Sequence, residues 1–526
     1  MAVGIDRVAV TTIYSKIPGD CMRFLVTVLV VVVALLAVAV GAGLWLLKDP
    51  NRFKPELEAL IRDTAGMEVS FDGDLSWQLW PPVVLKGESI RFEDESTRYE
   101  LAAFGVRANL LPLLQGGELE VSQLRLDDLL MTDKAFGAQT RIDSLRLDTF
   151  VLGQPSPLSV AMTLENEEGP ASKVTVEGPL TYFQEEDRLM LAPMAFRYDD
   201  ITGTCDVAAS NLSREPALSY TAGKDDLLPL DTFRAIDWEA DCTVPELAAG
   251  EEPLRNLSIR SANKNARNTN TITIPDAFGG SVETTVSIDT RNRTPAWLID
   301  TNASDIQSQA LMDLIAPSLK WAAPLLAGGQ LSLRGNTMEA LIDSANGELS
   351  FNSEAGQLDI GAIKETVLGL ARLAGKGEEV ERWNRQLDYT ALKGSWNVDG
   401  TNQAMNFAID NLALVAKGTL NALTGDMDLR GTVTVDKHPT LDLLKVSEDL
   451  YGLPIPLRCT GTLEAPSCGL DSGAAQAALA DYATGRARGE AAERLDEVIE
   501  DKVPEEYRDA AKGLLKGLFG NQRDDE

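Results

Sequence analysis

The stretch MDLRGTVTV, residues 427–435, alternates at every step: Met427, Leu429, Gly431, Val433 and Val435 fall on one side, Asp428, Arg430, Thr432 and Thr434 on the other. Successive side chains of a strand point to opposite faces, so a period of two predicts a strand with one apolar and one solvated face. The same alternation recurs in Met405-Asn-Phe407-Ala-Ile409, in Leu119-Glu-Val121 and in Leu124-Arg-Leu126. Gly-Asn, Asp399-Gly-Thr-Asn402 and Thr424-Gly-Asp426 punctuate these runs with turn chemistry. Short, evenly spaced strands pair antiparallel with their chain neighbours. The expected fold is mainly β with helical islands, dominated by a long antiparallel sheet.

The islands are few. Pro55-Glu-Leu-Glu-Ala-Leu-Ile-Arg62 reads as a short helix with Pro55 at its first position and Gly66 beyond its end. Ser304-Asp-Ile-Gln307 has the form of a capping box, with Ile306, Ala310, Leu311 and Leu314 on one face and Pro317 as the stop. A second helical stretch is expected from Lys364 to about Trp383, and a helical tail from about Ser472 to Gly520. In that tail Tyr507, Ala511, Leu514, Leu515 and Leu518 form an apolar stripe, either packed on the chain's own body or offered as a docking face.

A sheet with one apolar face must cover it. So few helices leave two solutions: closure into a sandwich or barrel, or a curved trough whose apolar inner face is filled from outside, with lipid the natural filling beside a membrane. Alternation alone leaves both open. The residues that either core or trough would use are Leu124, Leu126, Met405, Phe407, Ile409, Leu429 and Val433.

Residues 24–47, FLVTVLVVVVALLAVAVGAGLWLL, carry no charge. As a helix they would extend about 36 Å, enough to span a hydrocarbon core of about 30 Å with modest tilt. Trp45 and Lys48 close the run as an interfacial aromatic and a basic stop, where a cleaved signal would have a shorter apolar region and a small-residue site. An uncleaved anchor is expected, residues 1–23 being a cytoplasmic N-terminus. Basic residues flank both ends, so their count hardly decides the orientation, but a long trailing body is exported largely regardless of it. Met22-Arg23 resembles a natural start, which would make residues 1–21, Cys21 included, an extension.

The chain has 526 residues, with 80 Asp and Glu against 48 Lys and Arg, a net charge of −32. Such a field repels phosphate backbones, so nucleic acid is excluded as a partner. The single histidine, His438, rules out a multi-histidine metal site and lies in a turn, Asp436-Lys-His-Pro439. Gly369-Leu-Ala-Arg-Leu-Ala-Gly375-Lys-Gly377 has one residue too many for a phosphate loop and lacks its hydroxyl residue. Paired carboxylates such as Asp127-Asp128 read as a solvated face. No catalytic, cofactor or metal site is expected, and the chain is not expected to be an enzyme. Beyond the anchor remain Cys205, Cys242, Cys459 and Cys468, an even number: two disulfides of an oxidising compartment, or four largely buried thiols.

Two blocks of sequence resemble the AsmA family. The first is Asn51-Arg-Phe-Lys-Pro-Glu-Leu-Glu58, Thr64-Ala-Gly66, Phe71-Asp-Gly73-Asp-Leu75-Ser-Trp77 and Trp80-Pro81-Pro82, continued by Leu111-Pro-Leu-Leu-Gln-Gly116 and Leu119 to Leu126. The second is Gly329-Gln-Leu-Ser-Leu-Arg-Gly335, Gly347-Glu-Leu-Ser-Phe-Asn352, Gly356-Gln-Leu-Asp-Ile-Gly361, Leu387 to Leu392, Leu453 to Pro466, and Gly513 to Gly520. Residues 150–300 match none of its motifs, and the cysteines are not part of its pattern. The resemblance implies an inner-membrane protein with a periplasmic body, related to bridge-like lipid transfer proteins, whose curved sheets form hydrophobic grooves. It implies phospholipid as ligand, a role in outer-membrane biogenesis and the option of another envelope protein as partner. The alternative it carries is a scaffold or assembly factor for outer-membrane proteins that holds no lipid. With the anchor and tail read from the residues, the expected division is the anchor at 24–47, an AsmA-like N-terminal β region at 48–145, a central β region at 146–303, an AsmA-like C-terminal β region at 304–470 and a helical tail at 471–526. Gly73, Trp77 and Pro81 would close the membrane-proximal end of the groove or admit lipid there.

Overall fold

The computed structural model describes residues 50–475, apart from 66–67, 79–81, 94–96, 110–119, 135–138, 166–169, 251, 316–319, 374–376, 438–443, 464 and 472. The anchor candidate at 24–47, Pro81, His438 and the helical tail beyond residue 475 lie outside the described residues. Among the described residues no helix is long and apolar enough to cross a membrane. The fold is mainly β, with long antiparallel ladders and few helices, in two compact units. One comprises the residues up to 314 together with 325–349, the other 315–324 together with those from 350 onward.

The first unit opens with a 3-10 turn (Pro50–Phe53) and helix α1 (Lys54–Ala65). Strands β1 (Glu68–Phe71) and β2 (Leu75–Gln78) both pair with β3 (Val83–Glu93), β1 with its far half and β2 with its near half. A meander follows: β4 (Thr97–Asn109), β5 (Glu120–Asp133), β6 (Gln139–Phe150), β7 (Ser156–Leu164), β8 (Ser172–Phe183), β9 (Arg188–Tyr198) and β10 (Ile201–Ser210). After α2 (Leu230–Ala235) it resumes with β11 (Asp237–Leu247), β12 (Leu254–Lys264), β13 (Arg267–Ala277), β14 (Gly280–Asp289) and β15 (Ala296–Gln307), and α3 (Ser308–Ile315) comes next. From β3 to β15 each strand pairs antiparallel with the one before it. At about 4.8 Å per strand that ladder is roughly 58 Å wide.

Tight hairpins make this pairing obligatory. Asn265 and Ala266 both have positive φ, 51° and 60°, between the paired ends Lys264 and Arg267. That is the two-residue turn whose twist matches the strands it joins. The capping-box expectation at Ser304–Gln307 is corrected here: Ser304 pairs with Ser281 and the Gln307 N–H donates to the Phe278 carbonyl at 2.9 Å. The ladder takes these backbone groups, and the helix begins only at Ser308.

The second unit contains a three-stranded sheet of β16 (Trp321–Ala322), β19 (Gly356–Asp359) and β20 (Gln386–Tyr389). Between it and the preceding helix the chain runs through β17 (Pro324–Arg334), α4 (Met338–Asp343) and β18 (Asn346–Ser353), the unit division falling within β18. A second meander comprises β21 (Leu392–Asp399), β22 (Asn402–Ile409), β23 (Leu412–Leu420), β24 (Asp426–Val435), β25 (Ile455–Thr462) and β26 (Pro466–Leu470), each strand paired with the next. The Asp399-Gly-Thr-Asn402 turn joins β21 to β22, with Gly400 at φ 59°. The helical stretch expected from Lys364 to Trp383 is two helices, α5 (Gly361–Leu373) and α6 (Glu378–Glu381). The Asp359 carboxylate accepts from the Gly361 N–H at 2.8 Å and starts α5 three residues early. Gly369 to Leu373 lie inside α5, so the described first part of that glycine-rich segment is helix.

Candidate functional site

The N-terminal end of the first ladder, where the sequence placed a membrane-proximal motif, is built around α1. Leu57 and Ile61 of its inner face are buried in one apolar cluster with Phe71, Leu75 and the residues of β3 to β7. Polar bonds fix the helix to the sheet: Asn51 exchanges two hydrogen bonds with the Leu75 backbone, at 3.0 and 3.2 Å, and Lys54 Nζ donates to the Gly73 carbonyl at 2.8 Å. Gly73 lies where β1 breaks off and β2 begins. A Cβ there would stand 2.3 Å from the Glu88 carbonyl oxygen, so only glycine fits. Trp77 is half-buried beside Phe53, ring centroids 6.1 Å apart.

The expected alternation is present, but the cover over its apolar face varies. Leu124 and Leu126 of β5 are 3% and 2% exposed, inside the cluster that starts at α1. Farther along the ladder the cover is uneven: Ala209, Leu257 and Ile288 are buried, while others, such as Val286 and Ile299, are half-buried. Register defines successive rows across β10 to β15. One row is Ala209, Trp238, Asn263, Asn268, Ile288 and Trp297; the next is Val207, Ala240, Ser261, Asn270, Val286 and Ile299; a third is Cys205, Cys242, Ile259, Ile272, Thr284 and Thr301. The first row is capped by the segment leading into α2. Leu228, Leu230 and Phe233 are buried against Ile288, with Trp238, Val286 and Trp297 around them. Arg234 is buried with them and donates to the carbonyls of Leu218, Thr290 and Asn292 at 2.8–2.9 Å, which compensates its charge with three acceptors. In the third row Cys242, Ile259 and Ile272 remain half-buried.

In the second unit the apolar face of β22 to β24 shows the same contrast within single strands. Ile409 is 5% and Val433 0% exposed, at the end where Asn411 bonds the backbone of Asp436 and Leu444 and where Leu444, Val446 and Leu450 are buried. Met405, Phe407 and Leu429, farther along, are half-buried. Phe407 stacks on Phe351 at 5.4 Å.

Both disulfides lie on these apolar faces. Cys205 is joined to Cys242 and Cys459 to Cys468, each pair directly opposite in register, so that each bond staples two adjacent strands. The other face is charged and wet, with Arg260–Asp241, Arg146–Asp148 and Arg458–Asp428 pairs at 2.8–3.1 Å. A hydrogen bond from Gln123, then Arg146, holds the Asp148 carboxyl below its ordinary range, and Arg458 does the same for Asp428. These are carboxylates kept ionised at the surface, not groups poised to exchange protons.

Two features were missed in the sequence. One is the α2 cap; its signal was Leu227-Leu228-Pro229-Leu230, a compact apolar run between strands. The other is the polar set Ser261, Asn263, Asn268 and Asn270 on an otherwise apolar face. Its signal was asparagine at alternate positions of a strand, which places it on one side of the sheet.

A helix docked at the head of a long antiparallel meander, with one apolar and one charged face, defines the class of architecture. The AsmA family model matches residues 22–134, which hold α1 and β1 to β5. Over that stretch the chain is similar to the AsmA family. No curated protein and no solved structure matches it.

Proposed function

We propose that the chain is an inner-membrane-anchored envelope protein that binds or transfers phospholipid along the apolar face of its sheets, in the periplasm, in support of outer-membrane biogenesis. The observation that carries this reading is the partial cover of that face. Ile259, Ile272, Met405, Phe407 and Leu429 point to the same face as fully buried residues, yet remain half-buried. An acyl chain laid along such rows gains about 0.8 kcal/mol for each CH2 removed from water. The two disulfides support an oxidising compartment. The AsmA match supports envelope association. Within each unit such a face works as a hydrophobic groove, residues 24–47 serve as the membrane anchor, and no catalytic step is required.

Two measurements test this. Alkaline phosphatase fused after residue 300 is active if the body is exported; an inactive fusion overturns the topology. Mass spectrometry of the purified full-length chain finds phospholipid beyond what an anchor-only control carries, and a charged residue on the half-buried face removes it. A protein that retains no such lipid but holds a stable envelope-protein partner is instead an assembly factor.

A further inference from the structure

The meander's apolar face is interrupted at one place. Ser261 and Asn263 of β12 stand directly opposite Asn270 and Asn268 of β13, so the four make a two-by-two polar block on one face. On one side lie Trp238 and Ala240 of β11, on the other Val286 and Ile288 of β14, and along the strands Ile259 and Ile272. The block is largely wired internally. Asn263 Nδ2 donates to the carbonyls of Phe233 and Ile236 at 2.9 and 2.6 Å, which ties it to the α2 cap. Trp238 Nε1 donates to Ser261 Oγ at 3.0 Å, and Asn270 Nδ2 to Asn268 Oδ1 at 2.5 Å. Two groups are left over: Asn263 Oδ1 and Asn270 Oδ1 are buried and have no hydrogen-bond partner. Asn263 is 1% and Asn270 9% exposed.

A buried acceptor without a donor is costly, and apolar side chains of similar size would fill these positions without that cost. Both orphan atoms are carbonyl oxygens, so what satisfies them is a hydrogen-bond donor. The block also sits at a boundary. Behind it is the α2 cap; beside Asn270 in its own row are the half-buried Val286 and Ile299, and ahead of it is the half-buried row of Ile259 and Ile272. An amphiphile with its chains on those rows and its polar end toward the cap would bring a donor to the Asn270 oxygen, the one on the side of the open rows.

We propose that this asparagine block is a headgroup station: it selects lipids whose headgroup donates hydrogen bonds, through a primary ammonium or a hydroxyl, over lipids whose headgroup cannot. The proposal rests on the lipid reading above. Asn270, on the side facing the open rows, is the selecting residue, and Asn263 holds the station to the cap.

The test uses the full-length chain with a photo-crosslinking benzophenone side chain at position 272, reconstituted with vesicles of equimolar phosphatidylethanolamine, phosphatidylglycerol and phosphatidylcholine of matched acyl chains. Captured lipid is identified by mass spectrometry. The expected result is enrichment of the ethanolamine and glycerol lipids over the choline lipid by roughly tenfold, the discrimination one well-made hydrogen bond supplies. Asn270→Leu brings that ratio close to one while total capture persists. Asn270→Asp, which keeps an acceptor and adds a negative charge, shifts capture from the glycerol to the ethanolamine headgroup. Thermal melting reports that each variant is folded, and if Asn270→Leu fails to fold, the shift with Asn270→Asp decides alone. Lipid captured in the proportions of the vesicle, or a ratio unchanged by both substitutions, overturns the station and leaves the lipid reading standing. No lipid captured at all overturns both.

Discussion

Phe407 and Ile409 are two residues apart on one face of β22, and their variants separate an open apolar face from a closed one. Ile409 is 5% exposed, so Ile409→Asp removes a full side-chain burial, about 1.5–3 kcal/mol, and puts an unpaired carboxylate in its place. The sum is about 5 kcal/mol, close to the whole stability of many domains. Phe407 is half-buried and stacked on Phe351. Phe407→Asp forfeits about half of an aromatic burial plus a ring contact, and its carboxylate stays hydrated, for a total of about 2 kcal/mol. At about 2–4 °C per kcal/mol for a unit of this size, the expected falls in melting temperature are about 5 °C for Phe407→Asp and about 15 °C for Ile409→Asp. The assay is thermal unfolding of the full chain followed by far-ultraviolet circular dichroism, with lipid content measured in parallel. Phe407→Asp should melt cooperatively and lose lipid. Equal, large destabilisation by both variants would refute the reasoning, because it would mean that protein covers the whole strand.

Three further outcomes follow from the geometry. Replacing both cysteines of Cys205–Cys242 by alanine lowers stability by about 4 kcal/mol and of Cys459–Cys468 by about 2.5 kcal/mol, from loops of 37 and 9 residues, as denaturant midpoints will report. Gly73→Ala drives a Cβ against the Glu88 carbonyl and costs about 1–3 kcal/mol, read as faster proteolysis between α1 and β2. Asp148, Asp289 and Asp428 have carboxyl pKa values lowered in the folded state, Asp289 chiefly by Arg291. The folded state therefore binds fewer protons than the unfolded one. The stability these pairs contribute is present above about pH 4, the unfolded carboxylate range, and is lost as pH falls through the lowered folded values. Asp289→Asn flattens that acid limb in a melting-temperature profile and leaves neutral pH little changed.

The part of this architecture that was legible in the sequence is the part set by local periodicity. Alternation in residues 405–409 and 427–435 gave strands with the correct faces, because a period of two has one structural meaning when a turn follows every eight or ten residues. The errors have a common origin. Ser304-Asp-Ile-Gln307 carries helix-start chemistry, but Ser304 is already paired with Ser281, and a committed ladder outweighs a cap of about 1 kcal/mol. What alternation could not carry was cover. Leu126, Val433 and Phe407 are equivalent in any pattern of apolar and polar letters, yet two are sealed by protein and one is half-buried. Their difference is one of tertiary cover: Leu126 lies in the apolar cluster that also holds Leu57 and Ile61 of α1, and Val433 lies at the strand end where Leu444, Val446 and Leu450 are buried, which no period of two encodes. The asparagine block is the reverse case. Its residues fall in phase with the apolar positions of β12 and β13, so the period was intact and only the chemistry departed from it. A polar residue in an apolar phase is the local sign that a face has something other than its own core to meet, and Asn263 and Asn270, each with a carbonyl oxygen left over, carry that sign into three dimensions.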